Sequence, residues 1–293
     1  MKLLIIGGQG YIGSHLTLYL KSKNLEVDVF GNQKTDYNNL DVATLQQYEY
    51  IVLLAGHSSV KMCDGALKSP WNNNVRNFDN LVQKTNQTQK IIYASSSSVY
   101  GNKGGKTFTE EDFSLDYVNN YDLTKISLDL IAKKHISLGR DIIGLRFGTL
   151  NGGSSIIRRD LMINSMIYSA LKNGVINVNN KNVFRPLLAL NDLSRAVHEI
   201  VTNDFESGIY NLASFSSSVE EISNKVKMKA QVDIIDNGYF PGVYDFITDT
   251  SKFQSTYNFK FKESVDSIID DVIDCYVNRN PKIVTRGEYF QYE

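Results

Sequence analysis

A short apolar run that ends in a cluster of glycines is the feature that most constrains how this chain folds. Leu3 to Ile6 is apolar throughout, and Gly7-Gly8-Gln9-Gly10-Tyr11-Ile12-Gly13 joins it to a segment with helical spacing. In such a turn, Gly8 permits the tight bend, Gly10 lets backbone N–H groups approach a phosphate, and Gly13 lets strand and helix pack closely. The sequence therefore predicts a strand, a phosphate-binding turn and a helix in succession.

This succession favours a dinucleotide site over a glycine-rich turn without a ligand, because the helix N-terminus supplies positive potential to a pyrophosphate. A dinucleotide in such a fold also contacts the ends of neighbouring strands. The predicted cofactor-binding residues are Gly7, Gly10, Tyr11, Ile12, Gly13, Asn32, Asp41, Val42, Ala55, Gly56, Tyr121 and Lys125.

The end of the second strand normally separates NAD from NADP, because an acidic side chain there accepts hydrogen bonds from the adenosine ribose. Here the segment is Phe30-Gly31-Asn32-Gln33-Lys34, which has neither the acid nor an arginine for a 2′-phosphate. The residues themselves therefore leave NAD and NADP open. Asp41 has two interpretations, a contact with adenine and a helix N-cap.

Apolar runs alternate with helical stretches along much of the chain. The predicted core strands are Leu3 to Ile6, Val27 to Phe30, Ile51 to Leu54, Lys90 to Ala94, Asp141 to Arg146 and Gly208 to Leu212. This alternation predicts an α/β fold with a doubly wound parallel Rossmann sheet. We expect residues 1–148 and about 189–213 to form the dinucleotide-binding domain, and about 149–188 and 214–293 to form a smaller mixed substrate lobe.

Bulk composition excludes several other classes of function. Lys and Arg number 31 against 32 Asp and Glu, so no overall field attracts nucleic acid or an anionic membrane. The opening apolar run ends in glycines too early for a signal peptide or a membrane span. Cys63 and Cys275 lie far apart with no metal-ligand spacing, so we expect no disulfide, no metal and a cytoplasmic location. The Asn-rich stretches 72–74 and 177–182 indicate only loop propensity.

A candidate reactive pair lies on a predicted amphipathic helix over Tyr121 to Ile136, whose apolar side is expected to carry Leu123, Ile126, Leu130 and Ile131. Tyr121 and Lys125 are four residues apart and point to the same volume. An ammonium beside a phenol favours the phenolate and makes the tyrosine a usable proton carrier. Taken alone, the pair would be better explained as part of a polar surface face of a helix.

A run of serines follows the predicted fourth strand, which ends at Ala94. Ser95-Ser96-Ser97-Ser98-Val99-Tyr100-Gly101 would deliver hydroxyl groups at the carboxyl end of that strand, where parallel α/β sheets bind ligands. A serine in this position could hydrogen-bond the oxygen that reacts.

The glycine turn, the Ser-Ser-Ser-Val-Tyr-Gly stretch and Tyr121-x-x-x-Lys125 together resemble the extended short-chain dehydrogenases, specifically the NAD-dependent epimerase/dehydratase family that acts on nucleotide sugars. The resemblance continues over nearly the whole chain. Further similar segments are Leu145 to Thr149, Phe184 to Leu187, Asn191 to Leu193 and Gly208 to Leu212.

The resemblance implies roles for individual residues. Tyr121 would be the acid/base, Lys125 its activator and ribose anchor, and Ser96 the hydroxyl partner. Relatives that eliminate water from the sugar carry Asp-Glu after that hydroxyl residue, whereas this chain carries Ser97 and Ser98, which disfavours a 4,6-dehydratase.

The substrate side of the resemblance is less complete. Tyr239 and Tyr244 stand in a segment where many relatives have an arginine that holds the substrate diphosphate. The predicted substrate-binding residues are Ser97, Arg158, Arg159 and Arg185.

The predicted function is therefore NAD(P)-dependent, reversible hydride transfer at C4 of a nucleotide-diphosphate sugar, by a 4-epimerase or by a 4-ketoreductase or 4-dehydrogenase. The resemblance gives a slight preference for NAD. Two alternatives stay open: a catalytically silent dinucleotide-binding regulator of the same fold, and an enzyme for another hydroxyl substrate. Relatives pair as homodimers through helices that flank the reactive pair, and a monomeric mass in solution would contradict this expectation.

Overall fold

The computed structural model describes residues 1–31, 36–102, 104–112, 115 and 117–285. In these ranges the strands, numbered in chain order, are β1 (Lys2–Ile6), β2 (Glu26–Phe30), β3 (Tyr50–Leu53), β4 (Lys90–Ser96), β5 (Lys106–Phe108), β6 (Ile142–Phe147), β7 (Thr149–Asn151), β8 (Ile156–Arg158), β9 (Val175–Val178), β10 (Phe184–Ala189), β11 (Gly208–Leu212), β12 (Phe215–Ser218), β13 (Asp233–Asp236), β14 (Phe246–Thr248) and β15 (Lys282–Val284).

The α-helices in the same ranges are α1 (Tyr11–Ser22), α2 (Val42–Leu45), α3 (Val60–Cys63), α4 (Lys68–Trp71), α5 (Asn77–Lys84), α6 (Asn120–Ser137), α7 (Met162–Asn173), α8 (Leu190–Thr202), α9 (Val219–Ala230), α10 (Ser251–Thr256) and α11 (Val265–Asn278). Short 3₁₀ helices cover Tyr37–Asn39 and Ser97–Tyr100, and a π-helical turn covers Asn72–Arg76.

The central sheet has the order β11-β6-β4-β3-β1-β2, and every pair in it is parallel. Successive side chains of β1 pack on opposite faces of this sheet, with Leu3 and Ile5 in one apolar cluster and Leu4 and Ile6 in another. Burial on both faces explains why the strand is apolar at every position after Lys2. The predicted doubly wound parallel sheet is confirmed, and the six predicted core strands all belong to it.

Strand order reverses between β1 and β3, because β2 lies outside β1 while β4 and β6 extend the sheet on the other side. Open parallel sheets bind ligands at such a reversal, beyond the carboxyl ends of the strands. The glycine turn follows β1 and residues 54–57 follow β3, so both segments lie at this position.

A smaller mixed part of the fold is formed mainly by the three-stranded sheet β12-β10-β7, the pair β13-β9 and helices α7, α9 and α11. Its apolar cluster includes Ile167, Ile222 and Ile269. Some residues that follow β11 pack elsewhere, because Phe253 and Tyr257 join the cluster on one face of the central sheet. The strand β14 likewise pairs with β5.

The predicted helix over residues 121–136 is confirmed as α6, but its predicted apolar side is wrong at Leu130, which is 44% exposed. Its buried face instead mixes apolar Ile126 and Leu128 with polar Asp122 and Lys125. The helix packs against β4 and β6 of the sheet and against the 3₁₀ turn that follows β4, so its inner face meets both a core and a polar site. A simple apolar stripe does not describe such a helix.

A fully buried ion pair fastens α6 to the sheet. Arg146 Nε on β6 lies 2.8 Å from Asp129 Oδ2, and neither side chain is exposed to solvent. The Tyr93 hydroxyl on β4 donates to the other Asp129 oxygen at 2.9 Å, and Arg146 Nη1 donates to the Tyr100 hydroxyl at 2.9 Å. Buried charges persist only when paired and hydrogen-bonded in this way.

We expect Asp129→Asn to lower the free energy of unfolding by about 3–5 kcal/mol, because it leaves the Arg146 guanidinium buried without a counter-charge. Chemical denaturation monitored by circular dichroism measures this change. Asp270 is the control, since it pairs with Lys229 on the surface with a 64% exposed side chain. Asp270→Asn should cost no more than about 1 kcal/mol. Equal losses in the two variants would contradict the assignment.

Candidate active site

The bend after β1 is made by Gly7, which has a φ of +90°, a conformation that L side chains rarely adopt. A Cβ at Gly7 would also lie 2.7 Å from the Ala55 backbone nitrogen. Gly8 lies in the same turn, and a Cβ there would lie 2.6 Å from Val29 Cγ1 on the neighbouring strand, so glycine permits the turn here by leaving room for Val29.

Gly13 lets the first helix approach the turn, as predicted. A Cβ at Gly13 would lie 2.3 Å from the Gly7 carbonyl oxygen and 2.4 Å from Gly8 Cα. Gly10 is the N-cap of α1, and a Cβ there would lie 3.3 Å from the same carbonyl oxygen. The turn is thus a glycine-lined cradle at a helix N-terminus, which fits the pyrophosphate of a dinucleotide.

Tyr11 and Ile12 begin α1 at this cradle, so their backbone N–H groups belong to its positive end. The Tyr11 side chain has another use. Its hydroxyl donates to the Gly152 carbonyl oxygen at 2.8 Å and accepts from Asn164 Nδ2 at 3.2 Å. Burial raises the pKa of this phenol. The first residue of the nucleotide-binding helix is therefore bonded directly to the smaller part of the fold.

Asp41 caps α2, as one of its two interpretations predicted. Its carboxylate accepts from the Thr44 backbone N–H at 2.7 Å, and this bond holds the pKa of Asp41 below its usual value. Val42 is the first residue of that helix and is 44% exposed. Asn32 lies outside the described residues, and the adenine contact of Asp41 stays a prediction.

Ala55 and Gly56 follow β3, the strand that lies across the order reversal from β1. They approach the glycine turn from that side. A Cβ on Gly56 would lie 2.7 Å from Asn74 Oδ1, so the position requires glycine. Asn74 is only 3% exposed, and its side chain accepts from the His57 N–H at 2.8 Å and donates to the His57 carbonyl oxygen at 2.9 Å.

Asn74 also donates to Thr124 Oγ1 on α6 at 3.0 Å, so it connects the segment after β3 to the helix that carries the reactive pair. The expectation that residues 72–74 form a loop is wrong, because they lie in a π-helical turn. Such turns are frequent at functional sites. Composition alone could not identify Asn74, since only the fold shows that one of three consecutive asparagines is buried.

The structure brings the predicted reactive pair together at the end of β4. Lys125 Nζ lies 5.9 Å from the centre of the Tyr121 ring and donates to the Ala94 carbonyl oxygen at 2.7 Å. Lys125 is 6% exposed, whereas Tyr121 is half-buried. An ammonium held beside a phenol in a partly dry site favours transfer of the phenolic proton.

Ser96 ends β4 two residues after Ala94, with its side chain 9% exposed. Its Oγ accepts from the Ser98 N–H at 3.2 Å as the N-cap of the 3₁₀ turn, and this bond leaves the hydroxyl proton for an acceptor. Ser97 and Ser98 are buried in the same turn, which packs against α6. The predicted hydroxyl groups therefore lie at the carboxyl end of β4, beside the helix of Tyr121.

Two further side chains lie near this region, Arg185 on β10 and Tyr244 in the segment before β14. The Arg185 guanidinium lies 5.9 Å from the centre of the Tyr244 ring and donates to Thr149 Oγ1 at 3.2 Å. Burial lowers the pKa of Arg185, and its Nε has no hydrogen-bond partner among the described residues. A half-buried cation with a buried, unmet donor fits an anionic group of a ligand.

Arg158 and Arg159 are bound by protein groups. Arg158 forms two hydrogen bonds with the Asp160 carboxylate, at 2.6 and 3.1 Å. Arg159 Nε donates to Thr285 Oγ1, and its guanidinium lies 5.7 Å from the centre of the Tyr168 ring. Their contact with substrate stays a prediction. Arg185 is linked to the region of Tyr121 through Tyr244, whose ring contacts Arg185 and whose hydroxyl donates to Asp122.

The fold and the site together define a dinucleotide-binding protein of the Rossmann class with a Ser, Tyr and Lys set at the end of β4. The sequence profile of the NAD dependent epimerase/dehydratase family matches residues 3–213, and the chain belongs to that family. No helix of the described residues is long and apolar enough to span a bilayer.

Among curated relatives, the chain is 25% identical to the protein CapI of Staphylococcus aureus, over 94% of this chain and 98% of CapI. Two solved structures share the fold at 21% identity. One is MoeE5 in complex with UDP-glucuronic acid and NAD, with a TM-score of 0.82 over 94% of this chain and 99% of MoeE5. The other is UDP-glucuronic acid 4-epimerase from Bacillus cereus, with a TM-score of 0.81 over 94% and 98%.

We expect Gly13→Ala to raise the dissociation constant for NAD about tenfold or more, which corresponds to about 1.4 kcal/mol. The added methyl group would collide with backbone atoms of the turn, so the cradle has to shift. Isothermal titration calorimetry measures the affinity. Leu18→Ala, at a 63% exposed position of the same helix, is the control. Unchanged affinity in Gly13→Ala would show that the phosphates bind elsewhere.

Proposed function

We propose that this protein catalyses reversible hydride transfer at C4 of a nucleotide-diphosphate sugar, with 4-epimerisation as the net reaction. The observation that carries the proposal is the convergence of Tyr121, Lys125 and Ser96 at the carboxyl end of β4, near the strand reversal that carries the glycine cradle. Membership of the epimerase/dehydratase family supports this chemistry.

The glycine turn at the start of α1 would hold the pyrophosphate of NAD, whose nicotinamide would supply reversible hydride transfer at C4. Tyr121 would take the proton of the C4 hydroxyl as that group becomes a ketone, and would give the proton back when the alcohol re-forms. Ser96 would donate a hydrogen bond to the reacting oxygen, and Lys125 would hold Tyr121 in its acceptor form. Return of the hydride to the opposite face of the ketone would give the 4-epimer with no net oxidation.

Arg185 would supply the anion contact of the substrate. It is the predicted arginine with a buried, unmet N–H, and its guanidinium fits a phosphate oxygen. Ser97, which is also a predicted substrate-binding residue, would contact the sugar from the turn after β4. The two solved relatives support this substrate class, since both are complexes with UDP-glucuronic acid.

A 4-ketoreductase is the second candidate. It is favoured by the segment after β2, whose sequence lacks the acid that normally binds the adenosine ribose of NAD. A catalytically silent regulator is disfavoured, because it would not need Ser96, Tyr121 and Lys125 together at one strand end.

Mass spectrometry of small molecules released from the denatured protein separates the two candidates. We expect NAD in the released fraction, because an epimerase returns the hydride to the same substrate and has no need to exchange its cofactor. Incubation with UDP-glucose or UDP-glucuronic acid should then give the 4-epimer without added cofactor, as measured by NMR. An empty protein that consumes NADPH with a 4-keto sugar would overturn epimerisation in favour of the reductase.

We expect Tyr121→Phe to lower turnover by about 10²–10⁴-fold, because the variant keeps the ring but has no proton carrier. Affinity for NAD should stay within about threefold of wild type, which corresponds to less than about 1 kcal/mol. Tyr117→Phe is the matched control at a 53% exposed position. Turnover close to wild type in Tyr121→Phe would refute the assignment of the acid/base.

A further inference from the structure

A fully buried carboxyl group follows the reactive tyrosine directly, and the proposed chemistry does not use it. Asp122 is 0% exposed. Its two oxygens accept from the Tyr244 hydroxyl at 2.8 and 2.9 Å, and one of them accepts from Asn119 Nδ2 at 3.1 Å. Burial raises the pKa of Asp122. A buried polar pair at this position has either a structural or a positioning role.

Tyr244 comes from a part of the chain distant in sequence, yet it contacts the start of the catalytic helix. Besides its bond to Asp122, its hydroxyl accepts from Asn119 Nδ2 at 2.6 Å. Asn119 is the N-cap of α6, where its Oδ1 accepts from the Asp122 N–H at 3.0 Å. The Tyr244 hydroxyl is therefore fixed to the first turn of the helix, on both sides of Tyr121 in sequence.

The ring of the same tyrosine lies against Arg185, whose guanidinium carbon is 5.9 Å from the ring centre. The neighbouring residues of the two segments are also joined by a hydrogen bond. The Phe184 N–H, at the start of β10, donates to Asp245 Oδ1, just before β14, at 2.9 Å. The Tyr244 ring also packs edge-to-face with Phe246, with 6.3 Å between ring centres. One side chain thus contacts the proposed anion-binding cation through its ring and the catalytic helix through its hydroxyl.

We propose that Tyr244 is a positioning residue that sets the distance between the diphosphate held by Arg185 and the sugar hydroxyl that reacts at Tyr121. This inference rests on the proposed function. The ring stabilises the guanidinium by a cation–π contact, and the hydroxyl, through Asp122 and Asn119, keeps that ring in register with Tyr121. Register matters because a misplacement of about 1 Å at a reacting group can cost about 10²-fold in rate.

The two halves of the side chain can be removed separately. Tyr244→Phe keeps the ring under Arg185 but removes the bond to Asp122, so we expect kcat to fall about 10- to 100-fold with KM within about threefold. Tyr244→Leu also removes the ring, so KM should rise about tenfold in addition. Steady-state kinetics with UDP-glucose measures both constants. Tyr239→Phe and Tyr239→Leu are matched controls in the same segment, at a position that is 78% exposed.

A double-mutant cycle tests the path through the carboxyl group. Asp122→Ala should lower kcat to about the level of Tyr244→Phe, and the double variant should lose no more than either single variant. A purely structural role predicts a loss of thermal stability without this split between kcat and KM. Wild-type kcat in Tyr244→Phe, the same KM in Tyr244→Leu as in Tyr244→Phe, or multiplied losses in the double variant would overturn the proposal.

Binding of UDP separates failure of this inference from failure of the proposed function. Calorimetry should give equal UDP affinity for wild type and Tyr244→Phe, and about tenfold weaker affinity for Tyr244→Leu. A wild-type protein that binds UDP but converts no UDP-sugar would refute the C4 chemistry, while the Leu variant still tests the contact with Arg185. Equal affinity in all three proteins, or no UDP binding by the wild type, would overturn the positioning role of Tyr244.

Discussion

The attachment of α6 to the end of β4 is the interaction on which the rest of the site depends. Lys125 donates to a backbone carbonyl oxygen of that strand at 2.7 Å, and one helical turn further on the Asp129–Arg146 pair ties the same helix to β6. The first contact orients an ammonium toward Tyr121, and the second fixes the rotation of the helix about its axis. Without both contacts, α6 would not hold Tyr121 and Lys125 together at the end of β4.

This attachment explains why the inner face of α6 is so polar. Asp122, Thr124, Lys125 and Asp129 are all buried, and each has a hydrogen-bond partner on another element or in the adjoining turn. Burying such groups is tolerable only when their partners are provided. The inner face of α6 therefore carries no continuous apolar stripe, and Leu130, which was expected on the apolar side, is exposed.

Two tyrosines make hydrogen bonds between segments that are distant in the sequence. Tyr11 extends from the nucleotide-binding helix to the Gly152 carbonyl oxygen, and Tyr244 reaches from the segment before β14 to Asp122. The Tyr11 ring is buried and the Tyr244 ring is partly buried, and in both cases the hydroxyl makes the specific bond. The proposed cofactor cradle and the proposed anion site are thus each held by a hydrogen bond to a segment distant in the sequence.

The sequence by itself determined the class of fold and the centre of the proposed site. Continuous apolar strands, a glycine turn and a four-residue spacing are local patterns, and the parallel sheet, the cradle at Gly13 and the Tyr121–Lys125 pair follow from them. Local pattern failed where the deciding neighbour is distant in the chain. The roles of Gly8, Asn74 and Tyr244 depend on Val29, Thr124 and Asp122, respectively. Only the tertiary structure decided these contacts, because burial and hydrogen-bond partners are properties of the assembled core and not of residue order.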